Sequence, residues 1–320
     1  MLANGGDGED ADLSDAADRV AFVTPLSGLL WAVAYDLDET GPWTPRPADP
    51  AAVGFEPSDP RTGVTVAVMR WHGSDSRERR AGAGLSTLDY GALFSRAWQP
   101  TEVSPVYGGG ATLPMGMTAD AVDGWGRLSG PWGRIEAEGA YLSGEVRQAS
   151  LVPGVLYREP VPLVQSGGAL ESDFGGERMA AGLDLGYASG DPGQPLGAAP
   201  SGAPRLSTFH FHPEYRVDRI LFRQIEGSFS DAVYLRPHLA ADLARGARGN
   251  LSASLAVIGS RAVYGSSQPL GVEIDPTLRY ESRGGIVAVL EHAVLFPLPG
   301  LNAGSSPLQS FRLRLQYRIP

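Results

Sequence analysis

The residues best suited to chemistry are the histidines and the carboxylates near them. Catalysis would need a nucleophile and a base within hydrogen-bonding reach of each other. Glu291 and His292 are adjacent, so they point to opposite faces if their segment is a strand. Asp242 lies four residues from His238 on the same face, which separates the two side chains by about 13 Å along an extended chain. Neither pair predicts a catalytic dyad, and we expect no enzyme activity.

Metal binding is also disfavoured. His210 and His212 lie on one side of an extended segment, but no Cys and no set of carboxylates accompanies them, so packing within a loop is the favoured interpretation. The start of the chain has an acidic run among glycines: Asp7, Glu9, Asp10 and Asp12. This run lacks the spacing and the bidentate glutamate of an EF-hand, so it predicts a solvated acidic loop. We therefore expect neither a metal nor a cofactor.

A larger set of charged side chains alternates with apolar ones along extended stretches, which predicts a water-facing wall. Whether this wall also selects a solute depends on its geometry. The candidate lumen-lining residues are Arg134, Glu136, Glu138, Asp184, Arg236, His238, Asp242, Glu273, Asp275, Arg279, Arg312, Arg314 and Arg318.

Composition excludes several classes of function. The chain has 320 residues, of which 42% are hydrophobic and 19% charged, so it is long and apolar enough to fold. Its 42 Gly and 26 Pro favour many turns over long helices. The net charge of −10 argues against nucleic acid as a partner. All 26 basic residues are Arg and Cys is absent, which excludes a P-loop lysine, a Schiff-base lysine and a thiol nucleophile.

The alternation is clearest at 311–319, where odd positions are apolar or aromatic and even positions are Arg or Gln. About thirteen stretches share the pattern, most of them about 9–14 residues long, whereas strands of soluble proteins usually span about 5–6. Short connectors, at 25–28, 129–131, 174–177, 245–249 and 282–285, alternate with longer ones. Together these features predict an all-β fold, an antiparallel transmembrane β-barrel of about 12–14 strands with long extracellular loops. A soluble β-sandwich is the alternative fold.

One region interrupts the pattern. Residues 190–230 form a long irregular excursion, in which apolar residues at helical spacing predict a short helix near 217–225. The sequence leaves open whether this excursion enters the lumen or stands outside it. The expected organisation is an acidic N-terminal loop at 1–18 and a single barrel domain at 19–320.

Strand parity adds an expectation about the whole protein. If the last strand descends to the periplasm, counting backwards makes Arg19–Thr24 a descending strand as well. Barrels of this class usually have an even number of strands with both ends in the periplasm. The run from Met1 to Ser14 also has no basic start and no apolar core of a signal peptide. We therefore expect this chain to be the C-terminal part of a larger barrel.

Four segments carry a resemblance to a known family. Met1–Gly8, Asp18–Thr24, Ala119–Arg127 and Phe211–Asp218 resemble an uncharacterised, myxobacterial-type family of outer-membrane β-barrel, porin-like proteins. The resemblance implies the outer membrane of a Gram-negative bacterium, with lipid as a partner, and it transfers no catalytic residue. One departure is that the chain finishes on Ile319-Pro320, where such strands commonly end on an aromatic residue.

Two functions follow from these expectations. The first is porin-like passage or binding of a small hydrophilic solute through a lumen lined by the charged wall. The second is a non-transporting, structural or surface-interaction barrel with a plugged lumen.

Overall fold

A computed structural model describes residues 17–39, 62–103, 112–147, 159–176, 178–192, 205–212, 215–264, 269–302 and 306–317. These residues form a single antiparallel sheet of thirteen strands, in which each strand pairs with its neighbours in sequence. The predicted all-β antiparallel architecture is therefore confirmed.

The strands are much longer than those of most soluble sheets. Their bounds are β1 (Ala17–Leu26), β2 (Leu29–Glu39), β3 (Thr62–Arg70), β4 (Thr87–Val103), β5 (Thr112–Gly130), β6 (Gly133–Val146), β7 (Val161–Gly175), β8 (Met179–Ala188), β9 (Ala232–Gly246), β10 (Gly249–Ala262), β11 (Pro269–Ser282), β12 (Ile286–Pro297) and β13 (Leu308–Tyr317). Because β1 begins at Ala17, the predicted boundary between an N-terminal loop at 1–18 and the barrel lies two residues too late.

The connectors lie at two opposite ends of the sheet, and the two ends differ in connector length. One end, the short-turn end, has tight turns such as Ser27-Gly28 between β1 and β2, where both residues adopt positive φ (54° and 75°) as a two-residue hairpin loop requires. The opposite, long-connector end contains the connection from β8 to β9. Within the described residues, the predicted alternation of short and long connectors is interrupted only between β3 and β4.

Helices are few and short. Helix α1 (Ser74–Gly82) lies between β3 and β4. Asp75 in its first turn and Arg79 and Arg80 in its last turn complement the helix dipole. The helix predicted near 217–225 is a π-helical turn, Leu221–Ile225, and α2 (Pro299–Asn302) is one turn long. Among the described helices, none is long and apolar enough to cross a membrane.

The two faces of the sheet differ in character. On the outer face apolar side chains stay exposed, and Phe311 and Leu315 of β13 are each 70% exposed. On the inner face charged side chains are buried, as in Glu273 of β11 and Asp89 of β4, which are 1% and 0% exposed. This arrangement is the reverse of a soluble β-sandwich, whose two sheets bury their apolar faces against each other.

In the described part of the chain, β1 pairs only with β2 and β13 pairs only with β12. Since neighbours alternate in direction, β1 and β13 run the same way. A strand running the opposite way would pair antiparallel with both. The expected further strand before Met1 stays a prediction.

The excursion between β8 and β9 folds onto the inner face. We call residues 205–231, of which 213 and 214 lie outside the described residues, the inserted segment. Beyond the end of β8, Leu206 forms an isolated parallel bridge with Leu163 of β7, and Val164 donates its N–H to the Leu206 carbonyl at 3.0 Å. Apolar side chains of the inserted segment form one buried cluster with inward-facing residues of β5–β12: Phe209, Phe211, Val217, Ile220, Leu221, Phe222 and Phe229. The structure thus places this part of the excursion inside the lumen.

One glycine of the inner face makes room for this cluster, and we expect Gly167→Ala to destabilise the protein. The Phe209 ring lies against Gly167 of β7, where a Cβ atom would overlap it. Overpacking of this kind costs about 1–3 kcal/mol. The free energy of unfolding in urea, measured in lipid vesicles, gives the cost. Gly259→Ala is the matched control, because a Cβ at Gly259 of β10 meets nothing within 4 Å. Equal losses in the two variants would contradict this packing.

Candidate functional site in the lumen

Glu273 of β11 holds the backbone of the inserted segment. Its Oε1 accepts the N–H groups of Arg219 and Ile220 at 2.8 and 2.9 Å, and its Oε2 accepts the N–H of Leu221 at 3.1 Å. These N–H groups stand at the start of the π-helical turn, where a helix leaves its first donors without intrahelical partners. A carboxylate of the wall therefore caps the inserted segment.

Arg219 extends this contact to β12. Its guanidinium donates to Thr277 Oγ1 at 2.8 Å and lies 3.0 Å from Glu291 Oε1 and 3.8 Å from Asp275 Oδ2. Glu291 Oε1 also accepts a hydrogen bond from Arg314 at 3.1 Å. One carboxylate thus lies between two guanidinium groups, and the inserted segment is tied to β11, β12 and, through Glu291, to β13.

Asp218 stabilises the following turn from within the inserted segment. The Phe222 N–H donates to both carboxylate oxygens of Asp218, and its nitrogen lies 3.1 Å from Oδ1 and 3.0 Å from Oδ2. Burial raises the pKa of Asp218 to about 8, and the neighbouring carboxylate of Glu273 acts in the same direction. A large fraction of this carboxyl group is therefore protonated at neutral pH.

Three of the predicted wall residues meet between β8 and β9. Arg236 donates to Asp184 Oδ2 at 2.6 Å, and His238 Nε2 lies 3.3 Å from Asp184 Oδ1. The antiparallel register places Asp184 directly opposite Arg236. Asp242, in contrast, pairs with Arg245 of its own strand at 2.5 Å. The sequence analysis compared His238 with Asp242 alone and missed the pairing of His238 with Asp184.

A second charged network joins β5, β6 and β7. Arg127 donates to Glu136 at 2.6 and 3.0 Å. Arg134 lies 3.3 Å from both Glu136 and Glu171 and 3.0 Å from Asp173. The sequence prediction contained Arg134 and Glu136 and omitted the other three residues. Their cross-strand register opposite predicted wall residues is the signal that would have found them.

The buried carboxylate of Asp89 was also missed. His72 donates its backbone N–H to Asp89 Oδ1 at 2.8 Å, its Nδ1 lies 2.7 Å from the same oxygen, and Arg77 donates to Oδ2 at 3.2 Å. Since Arg77 belongs to α1, these contacts fix the helix against the short-turn end of the wall. They account for a helix in a segment that carries no apolar stripe.

The remaining predicted wall residues lie on the inner face as well, apart from Arg318, which is outside the described residues. Glu138 is buried beside Asp123. Arg279 donates to Glu281 at 3.1 Å. In the ladder between β12 and β13, Arg312 stands opposite Glu291. These side chains share the inner face of the sheet, and their role in lining a path for a solute stays a prediction.

Among the histidines of the inserted segment, His210 Nδ1 lies 3.0 Å from Ser228 Oγ and His212 is fully buried. Burial lowers the pKa of His210 to about 4, so this side chain is neutral. In the described ranges no three His, Asp or Glu side chains come together as metal ligands. The acidic run Asp7, Glu9, Asp10 and Asp12 lies outside the described residues.

His292 points to the opposite face of β12 from Glu291. It lies on the outer face, with its ring centroid 6.4 Å from that of Phe311.

Comparison with known proteins identifies no family. No protein-family model matches the chain, and no curated protein matches it. Among solved structures, the chain is similar to the beta domain of the Bordetella autotransporter BrkA, with 11% sequence identity over 93% of this chain and 96% of that chain and a TM-score of 0.27. The resemblance to myxobacterial-type barrels stays a prediction, and the fold described above stands on the pairing of the thirteen strands.

Proposed function

We propose that this protein is an outer-membrane β-barrel, with membrane lipid against its outer face. The observation that carries the proposal is the reversed polarity of the sheet, with exposed apolar side chains outside and buried charges inside. Exposing so much apolar surface to water would be unfavourable, since each Å² of apolar surface removed from water stabilises the protein by about 25 cal/mol. The hydrocarbon core of a bilayer is a favourable environment for this apolar face. The length of the thirteen antiparallel strands also matches the thickness of a bilayer.

We propose further that the lumen passes or binds a small hydrophilic solute, as a porin does. Support comes from the ion pairs and hydrogen-bonding groups of the inner face, which favour water and polar solutes over lipid. A cavity of 480 Å³ lined by residues of β8–β13 and the inserted segment adds space for such a solute. The proposal gives no residue a catalytic role and includes neither a cofactor nor nucleic acid.

The second candidate is a non-transporting barrel whose connectors bind a partner at the surface. The inserted segment favours it, because its buried aromatic side chains pack against the inner faces of β5–β12 and occupy part of the lumen. Under this function the cluster is a permanent plug. Under the first, the inserted segment narrows the lumen or moves aside.

Two measurements on the refolded full-length protein test this proposal. Flotation with lipid vesicles through a density gradient tests the membrane location, and we expect the protein to float with the lipid. Planar-bilayer recording tests passage, and we expect discrete current steps. Flotation without current would replace solute passage by the plugged barrel, whereas a folded protein that stays soluble without lipid would overturn both functions.

A further inference from the structure

A small cavity beside the inserted segment is unusually rich in arginine. It measures 150 Å³ and lies between that segment and the inner faces of β9 and β11–β13. Its lining includes five arginines, namely Arg216, Arg219, Arg223, Arg236 and Arg312, and three carboxylates, those of Asp218, Asp275 and Glu291. Even with every carboxylate ionised, positive charges outnumber negative ones by two.

One of these arginines is compensated from outside the lining, since Arg236 donates to Asp184 at 2.6 Å. The carboxylates of the lining, in turn, neutralise less than their number suggests. Glu291 is shared between Arg219 and Arg314. Asp218 has its pKa raised to about 8 by burial, so at neutral pH it adds less than a full negative charge. The cavity therefore presents a positive potential to its contents, and walls of low dielectric constant strengthen that potential.

The chemistry and size of the cavity restrict what it can bind. Guanidinium groups recognise carboxylate and phosphate oxygens through paired, charge-assisted hydrogen bonds. Gln224 and Ser310, which also line the cavity, add neutral hydrogen-bonding groups. Pockets for drug-sized ligands measure about 300–1,000 Å³. A cavity of 150 Å³ admits only a few non-hydrogen atoms.

A second, larger cavity continues the basic lining toward the short-turn end. It measures 480 Å³ and shares Arg219 and Glu291 with the small one. Arg178, Arg279 and Arg314 also line it, against the one further carboxylate of Asp242. Arginines thus line both sides of the Arg219–Glu291 ion pair along β8–β13.

We propose that the small cavity binds a small anion with carboxylate or phosphate oxygens. The inference deepens the proposed function by naming the class of solute, and it rests on that function only for the passage of the anion. Arg312 and Arg236 approach the anion from the wall, and Arg216, Arg219 and Arg223 approach it from the inserted segment.

Isothermal titration calorimetry on the refolded full-length protein in detergent tests the site, with inorganic phosphate and succinate as separate probes. We expect saturable binding of one or both, and the stronger probe identifies the anion chemistry. Arg312→Gln should weaken binding about tenfold, the usual effect of losing one hydrogen bond to a charged group. Arg127→Gln is the matched control, because this inner-face arginine of β5 lines neither cavity, and it should change affinity less than about twofold.

Binding of neither probe, or equal losses in the two variants, would overturn the anion site. Circular dichroism and cooperative urea unfolding check that each variant is folded. Calorimetry in detergent requires no open pore. Binding without bilayer current therefore supports the anion site and contradicts passage. Current without binding supports passage and contradicts the anion site.

Discussion

Replacing Glu273 by leucine is expected to release the inserted segment from the wall. The change leaves the N–H groups of Arg219, Ile220 and Leu221 without the carboxylate that accepts them. A buried donor that loses its partner costs about 1–3 kcal/mol, so three of them amount to several kcal/mol. The thirteen-strand ladder does not depend on this side chain, so we expect the segment to leave the lumen while the sheet stays folded.

Limited digestion with trypsin measures this release. The chain has 26 arginines and no lysine, so trypsin cleaves only after arginine, and four of these sites, Arg205, Arg216, Arg219 and Arg223, lie in the inserted segment. We expect rapid cleavage there in Glu273→Leu and slow cleavage in the native protein, with the fragments identified by mass spectrometry. In planar bilayers the variant should also carry a larger current, since the lumen loses its obstruction.

Glu281→Leu is the matched control for this experiment. Glu281 lies on the same face of β11, but its side chain is 45% exposed and its ion pair is with Arg279 of the same strand. Its replacement should leave cleavage in the inserted segment unchanged. If both variants are cut there equally fast, or if neither is, Glu273 does not hold the segment in place.

The second large effect concerns the outer face. Leu313 is exposed near the middle of β13, and Leu313→Arg should lower the free energy of unfolding in lipid vesicles by about 2–4 kcal/mol, the usual cost of an arginine facing lipid near the midplane. Arg314→Leu should cost clearly less, because Arg314 faces the lumen and its partner Glu291 keeps Arg219.

Urea titrations of the two variants in the same vesicles give this comparison. The residues are neighbours in one strand, so depth in the bilayer differs little and facing is the main variable. A greater loss from Arg314→Leu than from Leu313→Arg would contradict the assignment of the lipid face and, with it, the membrane location.

Much of the sheet could be predicted because its determinants are local. Side chains alternate between the two faces of a strand, so 311–319 alone separates an apolar row from an Arg-rich one. The ends of elements were harder. β5 begins at Thr112, where Gly and Pro weaken the alternation of apolar and polar residues while the ladder with β4 still continues.

Elements that depend on distant partners were missed. Helix α1 has no apolar stripe. Its contacts with the wall include the ion pair between Arg77 and Asp89 and the hydrogen bond from Arg80 to Thr87, and no local sequence pattern predicts either of them. The helical spacing at 217–225 correctly marked a turn, but its geometry is π-helical, and the first N–H groups are capped by Glu273 instead of a neighbouring side chain.

The sequence by itself predicted an antiparallel barrel of about 12–14 strands with a charged inner wall, because a two-residue period is a property of consecutive side chains. Only the tertiary structure decided what occupies the lumen. Residues 219 and 273 are separated by 54 positions in the chain, and they meet because the excursion after β8 turns inward rather than outward. That choice depends on burying Phe209, Phe211 and Phe229 against side chains from eight strands, a sum of contacts that no single stretch of sequence contains.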